Sequence, residues 1–242
     1  MKAAFKIIWL LCTLLVLFTQ CEEEPEPEPP VEIQDANFLN ALIESGIDRD
    51  GDGIISSAEA AGVNSLDISY REISDLHGIE AFINLDTLSC SGNLLSTLDV
   101  SNNTSLKYLN CGGNLLSSLD VSTCTALYYF VCHRNQLTAL DVSDVSVINL
   151  LCGNNPLSSL DVSQNTNLMT LSCGQTLLNS LDVFNNIYLM SLECTNLQLT
   201  SLDISNNISL GTNEIWESIP DIVLDSMPIA SPNAYFTTAC NN

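Results

Sequence analysis

The sequence predicts a mainly β solenoid with two short strands per coil and a small N-terminal α element that closes its first coil. Three observations predict it. A 21-residue unit first appears complete at residues 85–105, LDTLSCSGNLLSTLDVSNNTS, and recurs as far as residue 209. Its cysteines, Cys90, Cys111, Cys132, Cys152, Cys173 and Cys194, advance by 21, 21, 20, 21 and 21 residues, and the Leu-Asp-Val or Leu-Asp-Ile eight residues after each keeps the same steps. Two landmarks in one register through six copies define a fixed period, the mark of stacked coils. Within each unit, Leu88-Ser89-Cys90 and Leu98-Asp99-Val100 alternate apolar and polar, the period of short strands with one buried face. Ahead of the repeats, a short amphipathic helix, an acidic loop and a second brief helix form the α element.

The unit reads L-x-x-L-x-C-x-x-N-x-L, then x-x-L-D-V-S-x-N. This resembles the leucine-rich repeat family, in its nested 21-residue class, where the L-x-x-L-x-L-x-x-N-x-L segment is followed by a shortened copy of itself. The resemblance implies a leucine-rich repeat solenoid over residues 63–213. Thr176 and Leu197 stand where the pattern has Asn, and the pattern dissolves after Leu210.

Taken in order, residues 1–20, MKAAFKIIWLLCTLLVLFTQ, carry Lys2 and Lys6, an apolar run from Ile7 to Phe18 and no acid. The run is short for a membrane span and suits a signal-peptide core. Cys21 follows directly, then EEEPEPEPP. That arrangement resembles a bacterial lipoprotein signal of the Bacteroidetes type. It implies a lipid on Cys21, anchoring at the outer membrane and exposure at the cell surface. Residues 21–32 alternate Glu and Pro, bury nothing, and are expected to form an extended acidic spacer.

The cap is expected over residues 33–62. Asp35 is a good N-cap for ANFLNALIESG, whose Phe38, Leu39, Leu42 and Ile43 share a face. The segment from Asp48 to Glu59, DRDGDGIISSAE, is similar to a calcium-binding EF-hand loop. It has carboxylates at positions 1, 3 and 5, Gly53 at position 6, an apolar residue at 8 and Glu59 at 12. The resemblance implies calcium held by Asp48, Asp50, Asp52, the Ile54 carbonyl, Ser56 directly or through water, and both oxygens of Glu59. The alternative is an Asp/Gly-rich turn that binds nothing. With a short second helix and no second hand, the loop is expected to act as a structural cap.

Residues 63–84 read as a divergent first coil, with a strand at Leu66-Asp67-Ile68 and Ile73, Leu76, Ile79 and Phe82 stepping by three. From Leu85 the inward Leu, Cys and Val columns should stack into one core. Asn93, Asn114, Asn135 and Asn155 should satisfy backbone groups at one buried turn, and Asn103, Asn165, Asn186 and Asn207 at the other. Cys124 replaces Asn in the second copy; the third is one residue short, which predicts a local kink near 143–146. Residues 214–242 form the expected C-terminal cap, with Trp216, Ile219, Ile222, Val223 and Leu224 available to seal the last coil.

The repeat cysteines fall at inward positions and are expected to be free, buried hydrophobes; a bridge from Cys124 or Cys240 stays open. No closely spaced cysteine pair suggests a metal cluster. No hydrolase, zinc or phosphate-loop motif is present, and Cys132 and His133 point to opposite faces of a strand, so no enzyme is expected. The formal net charge of −23 argues against nucleic acid as a partner. The Asp column Asp99, Asp120, Asp141, Asp161, Asp182 and Asp203 is expected to cap turns.

What remains is a binding surface. The outward positions of the principal strands, the concave face, are mostly small or polar. Tyr108, Tyr129, Val131, His133 and Leu151 break that rule on three consecutive coils, with Lys107 and Arg134 nearby. They are the candidate ligand-binding residues of a non-enzymatic, monomeric binder whose partner is a protein. A glycan delivered to a polysaccharide uptake system is the alternative ligand. Mutual packing of these side chains, or a purely mechanical spacer, also stays open.

Overall fold

A computed structural model describes residues 29–210. The expected signal peptide, Cys21 and the tail from 214 lie outside the described residues. None of the described helices is long and apolar enough to cross a membrane.

Helix α1 (Ala36–Glu44) starts where Asp35 caps it, Oδ1 accepting from the Asn37 and Phe38 amides at 2.9 and 3.0 Å. It buries Phe38, Ala41 and Leu42. Leu39 and Ile43 are half-buried, because the stripe is centred one residue round from the expected face. Phe38 meets Phe82 of the first coil with ring centroids 6.4 Å apart. The other oxygen of Asp35 accepts from the Ser74 amide and hydroxyl at 2.8 and 2.7 Å, so one carboxylate both starts α1 and ties it to the solenoid. Helix α2 (Ser57–Ala61) begins with a capping box between Ser56 and Glu59.

Seven parallel strands follow in sequence order: β1 (Ser65–Asp67), β2 (Thr87–Ser89), β3 (Tyr108–Asn110), β4 (Tyr129–Val131), β5 (Asn149–Leu151), β6 (Thr170–Ser172) and β7 (Ser191–Glu193). Each pairs in register with the equivalent residue of the next coil, as Leu88 with Leu109 and Leu109 with Phe130. The inward Leu, Phe, Cys and Val columns form one continuous core. Burying these columns against the coils on either side supplies most of the stability, since no coil can cover its own apolar face.

The two strands expected per coil are corrected to one. Leu98, Asp99 and Val100 keep the expected alternation, buried, exposed, buried, yet no strand forms there or in the equivalent segments among the described residues. Asp99 turns back to accept from the Ser101 amide at 2.9 Å, and its counterparts do the same, so the chain bends where a ladder would need it extended.

The two asparagine columns differ in how well they are satisfied. The Asn114 amide donates to Cys90 O and Cys111 O, both at 3.0 Å, and its oxygen accepts from the Leu95 amide at 3.1 Å. Asn93, Asn135 and Asn155 repeat that arrangement. In the second column the amides of Asn103, Asn165, Asn186 and Asn207 each donate to two carbonyls, but the side-chain oxygens are buried without a hydrogen-bond partner. The expectation holds fully for the first column and by half for the second. The missing residue of the third copy is absorbed at its turn. There the Val145 amide reaches Val142 O at 3.4 Å, where the equivalent bonds at Asn103 and Asn165 measure 2.9 and 3.0 Å. Strands β4 and β5 keep their register across it.

The ladder cysteines Cys90, Cys111, Cys132, Cys152 and Cys173 are buried and in no disulfide; Cys194, just past the last described strand, is half-buried and also in no disulfide, as is the buried Cys124. Burial pushes the Cys111 and Cys152 thiols up to about 12, so both stay protonated at physiological pH.

Candidate functional site

On the concave sheet the side chains between the inward Leu and Cys positions face out. Tyr108 and Tyr129 are register partners on β3 and β4, and their rings stack with centroids 5.0 Å apart and planes 20° from parallel. Both are half-buried, and burial pushes both phenols above their ordinary value. One face of each ring is therefore spent on the other.

Val131 is corrected. It is only 3 % exposed and cannot be a contact residue. Its short side chain lies in the middle of the sheet with Tyr129 and His133 two residues away on either side, and Asn110 and Leu151 directly beside it on the neighbouring strands. Leu151 is half-buried on β5.

His133 lies over Gly112 of the preceding coil, where a Cβ would come within 3.1 Å of the imidazole Cε1. The absence of a side chain at 112 thus seats the ring. Burial, then the Arg134 charge, holds its pKa below the ordinary value, so the ring is neutral at pH 7. Its Nδ1 is buried with no hydrogen-bond partner.

Arg134 belongs to a column not evident in the sequence. Tyr70, Gly92, Gly113, Arg134, Asn154, Gln175 and Asn196 occupy one position in successive coils, and all have positive φ, between 54° and 67°. The chain leaves each strand through a left-handed residue, a conformation natural for glycine and costly for Tyr, Arg or Gln. Gly92 and Gly113 are the visible trace of this requirement. Tyr70 leans over Gly92, as His133 leans over Gly112 and Glu193 over Gly174. Tyr70 adds an exposed aromatic at the first coil of the same face that sequence reasoning missed.

The cations near the patch are not equivalent. Lys107 Nζ lies 3.4 Å from Asp86 and is partly neutralised. Arg71 is paired with Glu44. Among the described residues Arg134 is exposed and makes no ion pair. At the far end, Glu193 accepts from Ser172 Oγ at 2.7 Å and the Gly174 amide at 3.2 Å, so its carboxylate is internally engaged. A groove of about 550 Å³ runs elsewhere, along the Asp column, lined by Asp75, His77, Glu80, Asp99 and Asp120. The aromatic patch lies outside it, on the open face of the sheet.

The acidic loop is a second candidate site. One carboxylate oxygen from each of Asp48, Asp50 and Asp52 lies within 4.8 Å of the others, a group able to hold a metal ion. Hydrogen bonds hold them in place: the Gly51 and Gly53 amides donate to Asp48 at 2.8 and 3.0 Å, the Asp52 amide to Asp50 at 3.1 Å and the Ile54 amide to Asp52 at 2.8 Å. The donors are hard oxygens, which suit Ca²⁺ or Mg²⁺ and not softer metals. Glu59 is engaged by the protein, accepting from the Arg49 amide at 2.6 Å and from the Ser56 amide and hydroxyl at 2.9 Å, and the backbone bonds from Ser56 and Arg49 hold its pKa low. The Ser56 hydroxyl accepts from the Glu59 amide as well and is committed to the helix cap. Residues expected to lie in the spacer support the loop, because Ile55 leaves a carbonyl that needs a partner: Val31 N donates to Ile55 O at 2.7 Å and Ser57 N to Pro29 O at 3.3 Å.

Comparison with known proteins places this geometry. No family model and no curated protein matches the chain. Among solved structures, the functional domain of InlJ from Listeria monocytogenes, described as including a cysteine ladder, is 33 % identical with a TM-score of 0.58 over 75 % of this chain and 47 % of that one. A leucine-rich repeat protein of Leptospira interrogans is 26 % identical, TM-score 0.57, over 64 % of this chain and 44 % of that one. Internalin C2 of Listeria monocytogenes, 17 % identical with a TM-score of 0.59, shares the fold over 78 % of this chain and 97 % of its own. The chain spans about half the length of the InlJ domain. Cysteines in register, an asparagine column and one parallel strand per coil make the described fold a leucine-rich repeat solenoid.

Proposed function

We propose that the protein is a non-enzymatic binder that engages another protein on its concave face, around Tyr108, Tyr129, His133 and Leu151, with Arg134 at the rim. One observation carries the reading: a stacked tyrosine pair is presented on the concave sheet, and an exposed arginine with no ion pair among the described residues follows five residues after Tyr129, on a molecule whose formal net charge is −23. Rigid aromatics and arginine are the side chains that concentrate binding energy at protein contacts. A glycan is less well served, because each tyrosine has one ring face covered by the other.

The same proposal places the protein at the bacterial outer membrane, held by a lipid on Cys21, with residues 21–28 as an acidic spacer leading to the cap. It gives the loop a structural calcium ion, held by Asp48, Asp50, Asp52, the Ile54 carbonyl and Glu59. Ser56, occupied by its capping role, takes part through water. The ion would supply positive charge where three carboxylates converge and fix the end of the stack.

The test compares the protein with Tyr108→Ser/Tyr129→Ser and Arg134→Glu variants in capture of host and bacterial surface proteins, and on a glycan array. A tenfold or greater loss of protein capture by both variants is expected, with stability in the tyrosine variant falling by the ~0.5–1.5 kcal/mol of the lost ring stack and by the apolar area the half-buried rings cover. Capture unchanged in both would move the contact off this face. Glycan binding lost with the tyrosines would replace the protein partner by a sugar.

A further inference from the structure

A Cβ built on Gly112 would lie 3.1, 3.2 and 3.3 Å from Cε1, Nε2 and Nδ1 of His133, so the imidazole fills the space that a side chain at 112 would need. Its Nδ1 is buried with no hydrogen-bond partner. In the neutral ring with its proton on Nε2, that nitrogen is a bare lone pair, the cheaper of the two unpaired states. Protonation puts an N–H on both nitrogens, and a buried cationic donor without an acceptor is far more costly. Among the described residues, nothing on the adjoining strands offsets that charge. The outward positions are Tyr108, Asn110 and Gly112 on the preceding coil, Tyr129 and Val131 on its own, and Asn149, Leu151 and Gly153 on the next. The titratable groups among them, Tyr108 and Tyr129, are phenols that burial keeps neutral. The Cys111, Cys132 and Cys152 thiols beneath are buried and kept protonated. The cations are Arg134, next in the chain, and Lys107, paired with Asp86 at the strand edge. Outward carboxylates on the strands first occur three coils away on either side, at Asp67 of β1 and Glu193 of β7. That is roughly 14 Å of stack, beyond the ~10 Å over which exposed charges interact at moderate salt.

We infer that His133 is a pH-released lid: the neutral ring closes the concave face over Gly112, and the protonated ring swings out to solvent and uncovers it. Burial, then the Arg134 charge, lowers the pKa of the seated ring, so the seated state is favoured above the ordinary 6.5 and is lost as pH falls through the lowered value. Rotation about the side-chain bonds is enough, because the backbone on either side is held by the ladder: Gly113 N donates to His133 O at 2.9 Å and Arg134 N to Gly153 O at 3.0 Å. The coil stays folded while the surface beside the tyrosine pair gains a positive charge next to Arg134 and a floor without side chains at Gly112. The device belongs to the ring and its seat, whatever binds there.

The test follows the full chain by NMR in the His77→Gln variant, which leaves His133 as the sole histidine. The imidazole is expected to titrate with a midpoint below 6.5, with Nδ1 unprotonated above it. The ring-current shift of the Gly112 α-protons should disappear at the same midpoint, while the side-chain amide shifts of Asn114 and Asn135 stay constant. Gly112 is not left-handed, so its backbone accepts alanine; in Gly112→Ala the new methyl should unseat the ring at neutral pH and return the midpoint to the ordinary value. A ring-current shift that outlasts protonation, a midpoint at or above 6.5, or one indifferent to Gly112→Ala would overturn the inference. Loss of the shift together with the asparagine signals would assign the acid transition to unfolding of the coil and overturn it as well.

Discussion

Asn114 shows how much one side chain carries in this molecule. Its carboxamide bonds two carbonyls and one amide inside a buried turn. Asn114→Ala leaves the Leu95 amide unpaired, while Cys90 O and Cys111 O keep the Asn93 and Asn135 amides, so the substitution should cost about 1–3 kcal/mol. Thr176 offers the reverse experiment, since its hydroxyl donates to Cys173 O of its own coil at 2.9 Å but is too short to span two coils. Thr176→Asn should raise stability by about 1 kcal/mol in urea titration; no gain would mean that the coil has already relaxed around threonine. The asparagine column is legible in sequence because its spacing copies the repeat. The left-handed column is not: only Gly92 and Gly113 advertise it, while Tyr70, Arg134 and Gln175 hide a backbone requirement behind side chains of every type. Val131 was misplaced for a related reason, because alternation says which face a residue takes and not how deeply its neighbours bury it.

The calcium proposed for the loop would make the cap the element that depends on an ion. Without a cation, three carboxylates converge and are restrained only by the loop's own amides. With an affinity near 10⁻⁴ M, 1 mM calcium should stabilise the protein by about 1.4 kcal/mol. The melting midpoint should fall on adding chelator, and Asp50→Ala should abolish that dependence. A midpoint indifferent to both calcium and chelator would leave the loop as a turn and nothing more. The loop's converging aspartates were readable because the EF-hand-like spacing puts carboxylates at positions 1, 3 and 5. Its support by Val31 and Pro29 was not, since a Glu/Pro stretch gives no sign of pairing with Ile55 and Ser57. The second strand of each coil was misread because Leu-Asp-Val alternates like a strand while its aspartate folds back onto its own turn.

Along the whole stack, that aspartate column makes stability a function of acidity. Hydrogen bonds from Ser101, Ser122, Ser143, Ser163 and Ser205 hold Asp99, Asp120, Asp141, Asp161 and Asp203 below their ordinary value of 3.8, outweighing repulsion between neighbouring carboxylates where it acts. Asp35 joins them: burial works against its charge, but bonds from Ser74, Phe38 and Asn37 prevail. A carboxylate whose folded pKa is depressed contributes fully above its unfolded value and loses that contribution as pH falls through the folded one. Melting temperature should therefore hold steady from pH 7 to 5 and drop below about pH 4. A protein that gains stability on acidification below pH 4 would show that relief of mutual repulsion governs instead. The sheet running unbroken past the shortened third copy carries a different lesson. Length can be gained or lost at the back of a coil while the front stays in step, so individual plies can be trimmed, swapped or duplicated without re-aiming the side chains presented to a partner.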